Sequence, residues 1–107
     1  MTEFIVVYVT VASADEGDRI AAALVEERLA ACVNRVPGVR STYRWRGRVE
    51  RADEELLIIK SRADLFASLK HRVVELHSYD VPEIIALPII EGSEPYVRWL
   101  DEEIVKS

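Results

Sequence analysis

The residues best suited to hold a cation stand close together in the second half of the chain. His77 is followed by Asp80 and Glu83, and a neutral imidazole with nearby carboxylates can share a divalent ion. The same spacing fits a simpler interpretation, in which His77 ends a helix and interacts with the partial negative charge there. Spacing alone favours this simpler interpretation. His71 lies six residues earlier on another face of the predicted helix, so the two histidines do not chelate one ion.

Catalytic signatures are missing from the sequence. Cys32 is the one cysteine of the chain, so no intrachain disulfide is possible, and a lone cysteine at a helix-to-strand junction is usually a small buried apolar residue. No HExxH, CxxC, GxSxG or Walker-type loop is present. An acylphosphatase is disfavoured because the turn at 11–16 has two carboxylates and no glycine, and would repel phosphate. We therefore expect a binding protein rather than an enzyme.

Arginines cluster around two aromatic residues in the middle of the chain, which raises the hypothesis of RNA binding. They are Arg40, Arg44, Arg46, Arg48 and Arg51. RNA-recognition domains stack bases on outward-facing aromatic residues of the two central strands, but the predicted strand 55–60 has none. Tyr43 and Trp45 alternate with Arg44 and Arg46, so they should face away from those arginines. The net charge is −5, and we expect a solvated, ion-paired hairpin and no nucleic-acid partner.

Hydrophobic periodicity and turn residues predict a β-α-β-β-α-β order with one more helix at the end. The first half is predicted to form strand 4–11, a helix from Ser13 to about Ala31, and strand 32–45 with a bulge or bend at Pro37-Gly38. A hairpin at 46–48 then leads into a return strand ending at 60. The second half is predicted to form a helix from about 61 to His77, strand 83–90, and a helix opening at 92–95 with Tyr96, Leu100 and Ile104 on one face. This is the order of a ferredoxin-like α+β sandwich. The length of 107 residues fits a single domain over 1–107.

Several predicted strands are apolar on both faces, although two helices can cover only one face of a four-stranded sheet. An exposed Val and Ile surface of that size usually marks an interface. We expect the third helix to cover part of it and another subunit to cover the rest. The apolar run 4–9 is far too short for a membrane span and follows no basic segment, so no membrane partner is expected and cytoplasm is the expected location.

Stretches along nearly the whole chain resemble the CutA divalent-ion-tolerance family. They are Glu27-Arg-Leu-Ala-Ala-Cys-Val-Asn34, Ser41-Thr-Tyr-Arg-Trp-Arg-Gly47, Glu55-Leu-Leu-Ile-Ile-Lys60, His77-Ser-Tyr-Asp-Val-Pro-Glu-Ile-Ile-Ala-Leu-Pro88, and Gly92 with Tyr96 and Trp99. The resemblance implies a tight homotrimer of ferredoxin-like subunits, similar in architecture to the PII signalling proteins. It also implies binding of copper or another divalent cation and a part in the response to such ions, with no obligatory cofactor.

Two departures from the family pattern bear on metal binding. The usual His-Pro-Tyr-Glu run is here His77-Ser-Tyr-Asp80, which keeps the imidazole, the phenol and the carboxylate. Some members carry a cysteine late in the first strand and a second adjacent histidine, where this chain has Val9 and Leu76. If those groups are the ligands, His77 alone remains and copper should bind weakly.

The resemblance also implies a cleft between subunits that gathers shared polar and aromatic residues. The residues at those positions are Tyr43, Trp45, Lys60, Tyr79, Asp80 and Glu83. A cleft with a lysine, carboxylates and aromatic rings could equally hold a small anionic metabolite, as in a PII-like sensor. The metal hypothesis and the metabolite hypothesis both stay open at this point.

Overall fold

The computed structural model describes residues 3–105, and this part of the chain forms a four-stranded antiparallel sheet with three α-helices. The elements are β1 (Phe4–Val11), α1 (Ala14–Glu26), β2 (Cys32–Trp45), β3 (Arg48–Arg62), a 3-10 turn (Ala63–Leu65), α2 (Phe66–Leu76), β4 (Ile84–Pro88) and α3 (Glu94–Glu103). The strands lie in the order β2-β3-β1-β4. The predicted ferredoxin-like α+β fold with a C-terminal helix is confirmed.

One face of the sheet is sealed by α1 and α2. Every second residue of β1, from Ile5 to Val11, is buried, and the residues between them are half-buried. The buried set packs against apolar residues of the two helices, which are Ile20, Leu24, Leu69 and Val73. Alternation of this kind is typical of a strand with one core face. The sequence of β1 is apolar on both faces, but within the single chain only one of them is fully buried.

Helix α1 begins where the sequence predicts and ends earlier. The hydroxyl of Ser13 accepts the N–H of Glu16 at 3.2 Å, so Ser13 is the N-cap. The helix ends at Glu26 and not near Ala31, because Arg28 has a φ of 61° in the left-handed region. The apolar pattern continued past this end, which is why periodicity alone extended the helix too far.

The β2–β3 hairpin is long and reaches beyond the rest of the sheet. Its register shifts between Val36 and Val39, which confirms the predicted bulge. The turn has positive φ at Arg46 and at Gly47, as a tight two-residue hairpin turn requires. β1 pairs with β3 only over 55–62, so the hairpin beyond the bulge extends past the end of β1.

The second sheet face is covered only in part. Helix α3 packs Leu100, together with Ile104 just beyond its end, against Phe4. Tyr96 stays 43% exposed, so the predicted stripe of α3 is only partly correct. No helix within residues 3–105 is long and apolar enough to cross a membrane.

Beyond α3, this second face leaves an apolar surface uncovered, which we call the open sheet face. The register places its residues on the same face of all four strands, and they are Val6, Tyr8, Val36, Ile58, Ile85 and Leu87. Ile85 is 49% exposed and Leu87 is 43% exposed. Strand β4 is shorter than predicted, spanning Ile84–Pro88, but it still contributes two residues to this surface.

Candidate functional site

A cavity of about 580 Å³ lies where the hairpin passes the end of β1 and meets the loop after α2. Its lining includes Tyr43, Trp45, Tyr79, Asp80 and Glu83. These are five of the six residues that the sequence analysis places in a cleft, and the fold brings them together within a single chain. Thr10, Ser41, Thr42, Glu54 and Val81 complete the lining.

The hairpin supplies an aromatic wall to this cavity. Tyr43 and Trp45 lie two residues apart on β2, so their side chains point to the same side of the hairpin. Both are more than 40% exposed, which is unusual for large aromatic residues. The guanidinium of Arg46 lies 5.4 Å from the ring centroid of Trp45. The expectation that Trp45 faces away from Arg46 is wrong, because Arg46 sits in the turn, where strand alternation no longer applies.

Carboxylates supply the charge of the cavity. The phenol of Tyr79 donates to Oε2 of Glu54 at 2.7 Å, and the hydroxyl of Thr10 lies 3.5 Å from Oε1 of Glu83. Asp80 is a third carboxylate in the lining, and none of the described lining residues is Lys, Arg or His. Burial, with the hydrogen bond to Glu54 next, raises the pKa of Tyr79, so its phenol stays neutral. The lining is therefore acidic.

His77 lies behind the cavity wall and not in the lining. Its side chain is fully buried. Nε2 lies 2.8 Å from the carbonyl oxygen of Thr10 and must donate to it, while Nδ1 accepts the N–H of Tyr79 at 3.1 Å. These partners assign a neutral ring protonated at Nε2. Within the chain His77 ends α2 and orients Tyr79, with their ring centroids 4.7 Å apart.

Glu16 is a buried carboxylate that the sequence analysis counts only as one of the two carboxylates in the turn at 11–16. Its Oε1 accepts the N–H of Ala12 and the hydroxyl of Ser78, and its Oε2 accepts the N–H of Ser78. Nδ1 of His77 lies 3.6 Å from Oε2. Burial alone would raise the pKa of Glu16, but the hydrogen bonds from Ser78 and Ala12 outweigh burial and lower it. The spacing of Ser13 and Glu16 was the one sequence signal for this residue.

Lys60 is the predicted cleft residue that the chain does not bring to the cavity. It bonds to the side-chain oxygen of Asn34 and pairs with Cys32 across the sheet. Six residues of extended strand separate it from Glu54, which is roughly 20 Å at about 3.3 Å per residue. The lysine that made an anionic ligand attractive is thus absent from the lining.

The other positions considered for metal binding are dispersed. Val9 is in the core and Leu76 packs against it. Cys32 is half-buried, with its sulfur 3.9 Å from the side-chain oxygen of Asn34. Across residues 3–105, no three His, Cys, Asp or Glu side chains stand close enough to share a metal ion.

Comparisons with known proteins give one family. The sequence model of the CutA1 divalent ion tolerance protein matches residues 5–103. The divalent-cation tolerance protein CutA of Thermus thermophilus is 56% identical over 97 residues, which is 91% of this chain and 94% of that protein. The chloroplastic CutA protein of Arabidopsis thaliana is 54% identical over 96 residues, which is 90% of this chain. The chain spans about half of that relative, 53% of its length.

The solved structures agree with the sequence comparisons. The crystal structure of CutA1 from Oryza sativa superposes with a TM-score of 0.96 at 49% identity, covering 99% of this chain and 97% of the rice chain. The Thermus thermophilus divalent cation tolerance protein has a TM-score of 0.94 at 53% identity, covering 95% of this chain and 99% of that chain.

Proposed function

We propose that this chain, which belongs to the CutA1 divalent ion tolerance family, acts as a homotrimer that binds copper or another divalent cation and takes part in the response to such ions. The name of the Thermus relative describes tolerance to divalent cations. The role proposed here is binding and not catalysis, with residues 1–107 as one domain. A cytoplasmic location is part of the proposal, although the Arabidopsis relative is named as chloroplastic.

The open sheet face is the observation that supports assembly. Ile85 and Leu87 are exposed there next to half-buried Val6, Tyr8 and Ile58. Burying apolar surface stabilises an assembly by about 25 cal/mol per Å², and a second and third copy of the chain are the partners that the family resemblance implies. Such an assembly also brings the protruding hairpin of one subunit against its neighbour, which would turn the cavity into a cleft between subunits.

For the ion itself, His77 is the ligand that the sequence offers. Its Nδ1 is an acceptor, and Oε2 of Glu16 is 3.6 Å from it. An ion held by these two groups would have to displace the N–H of Tyr79 from Nδ1. Because the ring is fully buried, we expect the loop after α2 to open before the ion enters. We therefore propose weak binding.

A small anionic metabolite in the cleft is the second candidate, and the lining gives it less support. Glu54, Asp80 and Glu83 would repel an anion, and Lys60 lies elsewhere in the chain. An anion would therefore need cationic groups from a neighbouring subunit. The lining alone favours a cation.

Calorimetric titration of Cu(II) into the metal-free protein tests the metal proposal. We expect His77→Ala to weaken binding at least tenfold, and we expect no change in His71→Ala, whose exposed ring lies elsewhere on α2. Circular dichroism of both variants separates loss of binding from loss of fold. Unchanged affinity in a folded His77→Ala variant would contradict a site at His77, and Cys32 would be the next residue to test.

A further inference from the structure

The cavity beside the hairpin has the chemistry of a site for a molecule and not for a metal ion. We propose that it binds a small organic ammonium ion, held between the aromatic wall and the carboxylates. This ligand class goes beyond divalent-ion binding. The residues that line the cavity in the described part of the chain come from one subunit, and in the proposed homotrimer a neighbouring subunit would close its open side.

The size of the cavity and the arrangement of its carboxylates argue against a bare metal ion as the occupant. Ligand oxygens surround Ca²⁺ or Mg²⁺ at about 2.0–2.6 Å, yet no three acidic, His or Cys side chains of residues 3–105 stand close enough to share one. A volume of about 580 Å³ is within the usual range of sites for small organic molecules. The carboxylates therefore surround a space that an organic ion could fill.

The aromatic residues argue for a cation in that space. The faces of Trp and Tyr rings attract ammonium groups, and cages of such rings recognise alkylated ammonium ions. The guanidinium of Arg46 lies 5.4 Å from the ring centroid of Trp45, within the distance at which an indole face attracts a cation. Tyr43 and Tyr79 line the same cavity. The three rings thus line one cavity on the hairpin side and the loop side.

The hydrogen bonds fix the acidic groups in place. Glu54 is held by the phenol of Tyr79, and Tyr79 is itself held by His77 through its backbone N–H. Glu83 lies within 3.5 Å of the hydroxyl of Thr10. The described lining has three carboxylates and no cationic side chain, so the carboxylates would attract an ammonium ion inside the cavity.

Isothermal titration with choline chloride tests this proposal, at ionic strength matched with NaCl. We expect saturable binding of choline and none of 3,3-dimethyl-1-butanol, which has the same shape without the charge. A second titration with putrescine, a primary diamine, distinguishes an alkylated ammonium ligand from a primary amine. Tighter binding of choline indicates an alkylated ammonium ligand, and tighter binding of putrescine indicates a primary amine.

Variants localise the site. Glu83→Gln removes one charge and Tyr43→Leu removes one ring, and each should weaken binding of the preferred cation at least tenfold. Glu26→Gln, an equal charge change at an exposed position at the end of α1, should leave binding unchanged. No saturable binding of either cation, equal binding of the neutral alcohol, or an equal loss in Glu26→Gln would overturn the proposal.

The ammonium site and the proposed function can fail independently of each other. A trimer that binds Cu(II) but neither ammonium ion would overturn only the inference about the cavity. A monomer that binds choline would overturn the proposed assembly and leave the ammonium site standing.

Discussion

Oε2 of Glu16 accepts the backbone N–H of Ser78 at 2.6 Å, although the two residues are 62 positions apart in the chain. This bond ties the first turn of α1 to the loop that follows α2. The next residue of that loop, Tyr79, enters the cavity and bonds to Glu54. The position of the cavity wall therefore depends on a carboxylate that does not line the cavity.

Replacing Glu16 by Gln should lower the unfolding free energy and make that free energy depend less on pH in the acid range. An amide has one acceptor oxygen in place of two, so buried donors lose partners at a cost of about 1–3 kcal/mol. Because the folded-state pKa of Glu16 lies below its ordinary value of 4.5, its stabilising contribution is complete above pH 4.5 and is lost as the pH falls through the lower folded-state value. Urea unfolding between pH 3 and pH 7 measures how the unfolding free energy of each protein changes with pH.

Asp15→Asn is the matched control, because Asp15 is exposed in the same helical turn. The difference in unfolding free energy between Glu16→Gln and the parent chain should shrink in acid, and that of Asp15→Asn should stay small throughout. A loss in Glu16→Gln that grew as the pH fell would contradict the assigned direction of the pKa shift.

Gly17→Ala should destabilise the protein, although Ala is favoured over Gly inside a helix by about 1 kcal/mol. A Cβ at this position would collide with Oε1 of Glu55 and lie 3.3 Å from a methyl group of Val11. Glu55 is buried and its Oε1 is 3.3 Å from Nε of Arg35, so moving this carboxylate aside would lengthen the ion pair. We expect a loss of about 1–3 kcal/mol in urea unfolding, the usual cost of overpacking.

The Glu55→Ala background isolates the collision. There, Gly17→Ala should be neutral or stabilising, because the atom it would meet is gone. An equal loss in both backgrounds would mean that Glu55 is not the cause.

Trp45→Ala should lower the unfolding temperature and make it depend more strongly on protein concentration. Trp45 is 42% exposed in the single chain, and we expect a neighbouring subunit to bury much of the indole, at about 25 cal/mol per Å². Arg44→Ala, on the opposite face of the hairpin, should do much less. If the two variants unfolded alike in a concentration series, the strand alternation used to separate them would be wrong.

Local signals predicted most of the fold. The N-cap at Ser13 and the hairpin turn at Gly47 were predictable because each depends on a few consecutive residues. The end of α1 was not, because the apolar pattern continues past it and no glycine marks the left-handed position that Arg28 occupies. The fold class was predicted from the order of the elements, and a misplaced element boundary does not change that order.

The candidate site was less predictable, because its hydrogen bonds cross long stretches of sequence. Glu54 was missed since its partner Tyr79 is 25 residues away. The family resemblance placed Lys60 among the cleft residues, but no sequence pattern shows that it lies far from the cavity along the same strand. The buried state of His77 depends on Thr10, which is 67 residues away.

A charge on the open sheet face should prevent assembly. Ile85→Asp places a carboxylate among apolar residues that we expect to meet a neighbour, where an unpaired charge is costly. Val74→Asp is the control, because Val74 is 51% exposed on α2, away from that face. Size-exclusion chromatography should show a smaller species for Ile85→Asp alone. Equal elution of the two variants at the parent position would contradict assembly through the open sheet face.

The oligomeric state of the unmodified chain tests the central claim most directly. The chain mass is 12.2 kDa. Sedimentation equilibrium at sub-micromolar protein concentration should give three times that mass, because we expect neighbouring subunits to cover the open sheet face. A single species of 12.2 kDa under those conditions would contradict the proposed homotrimer.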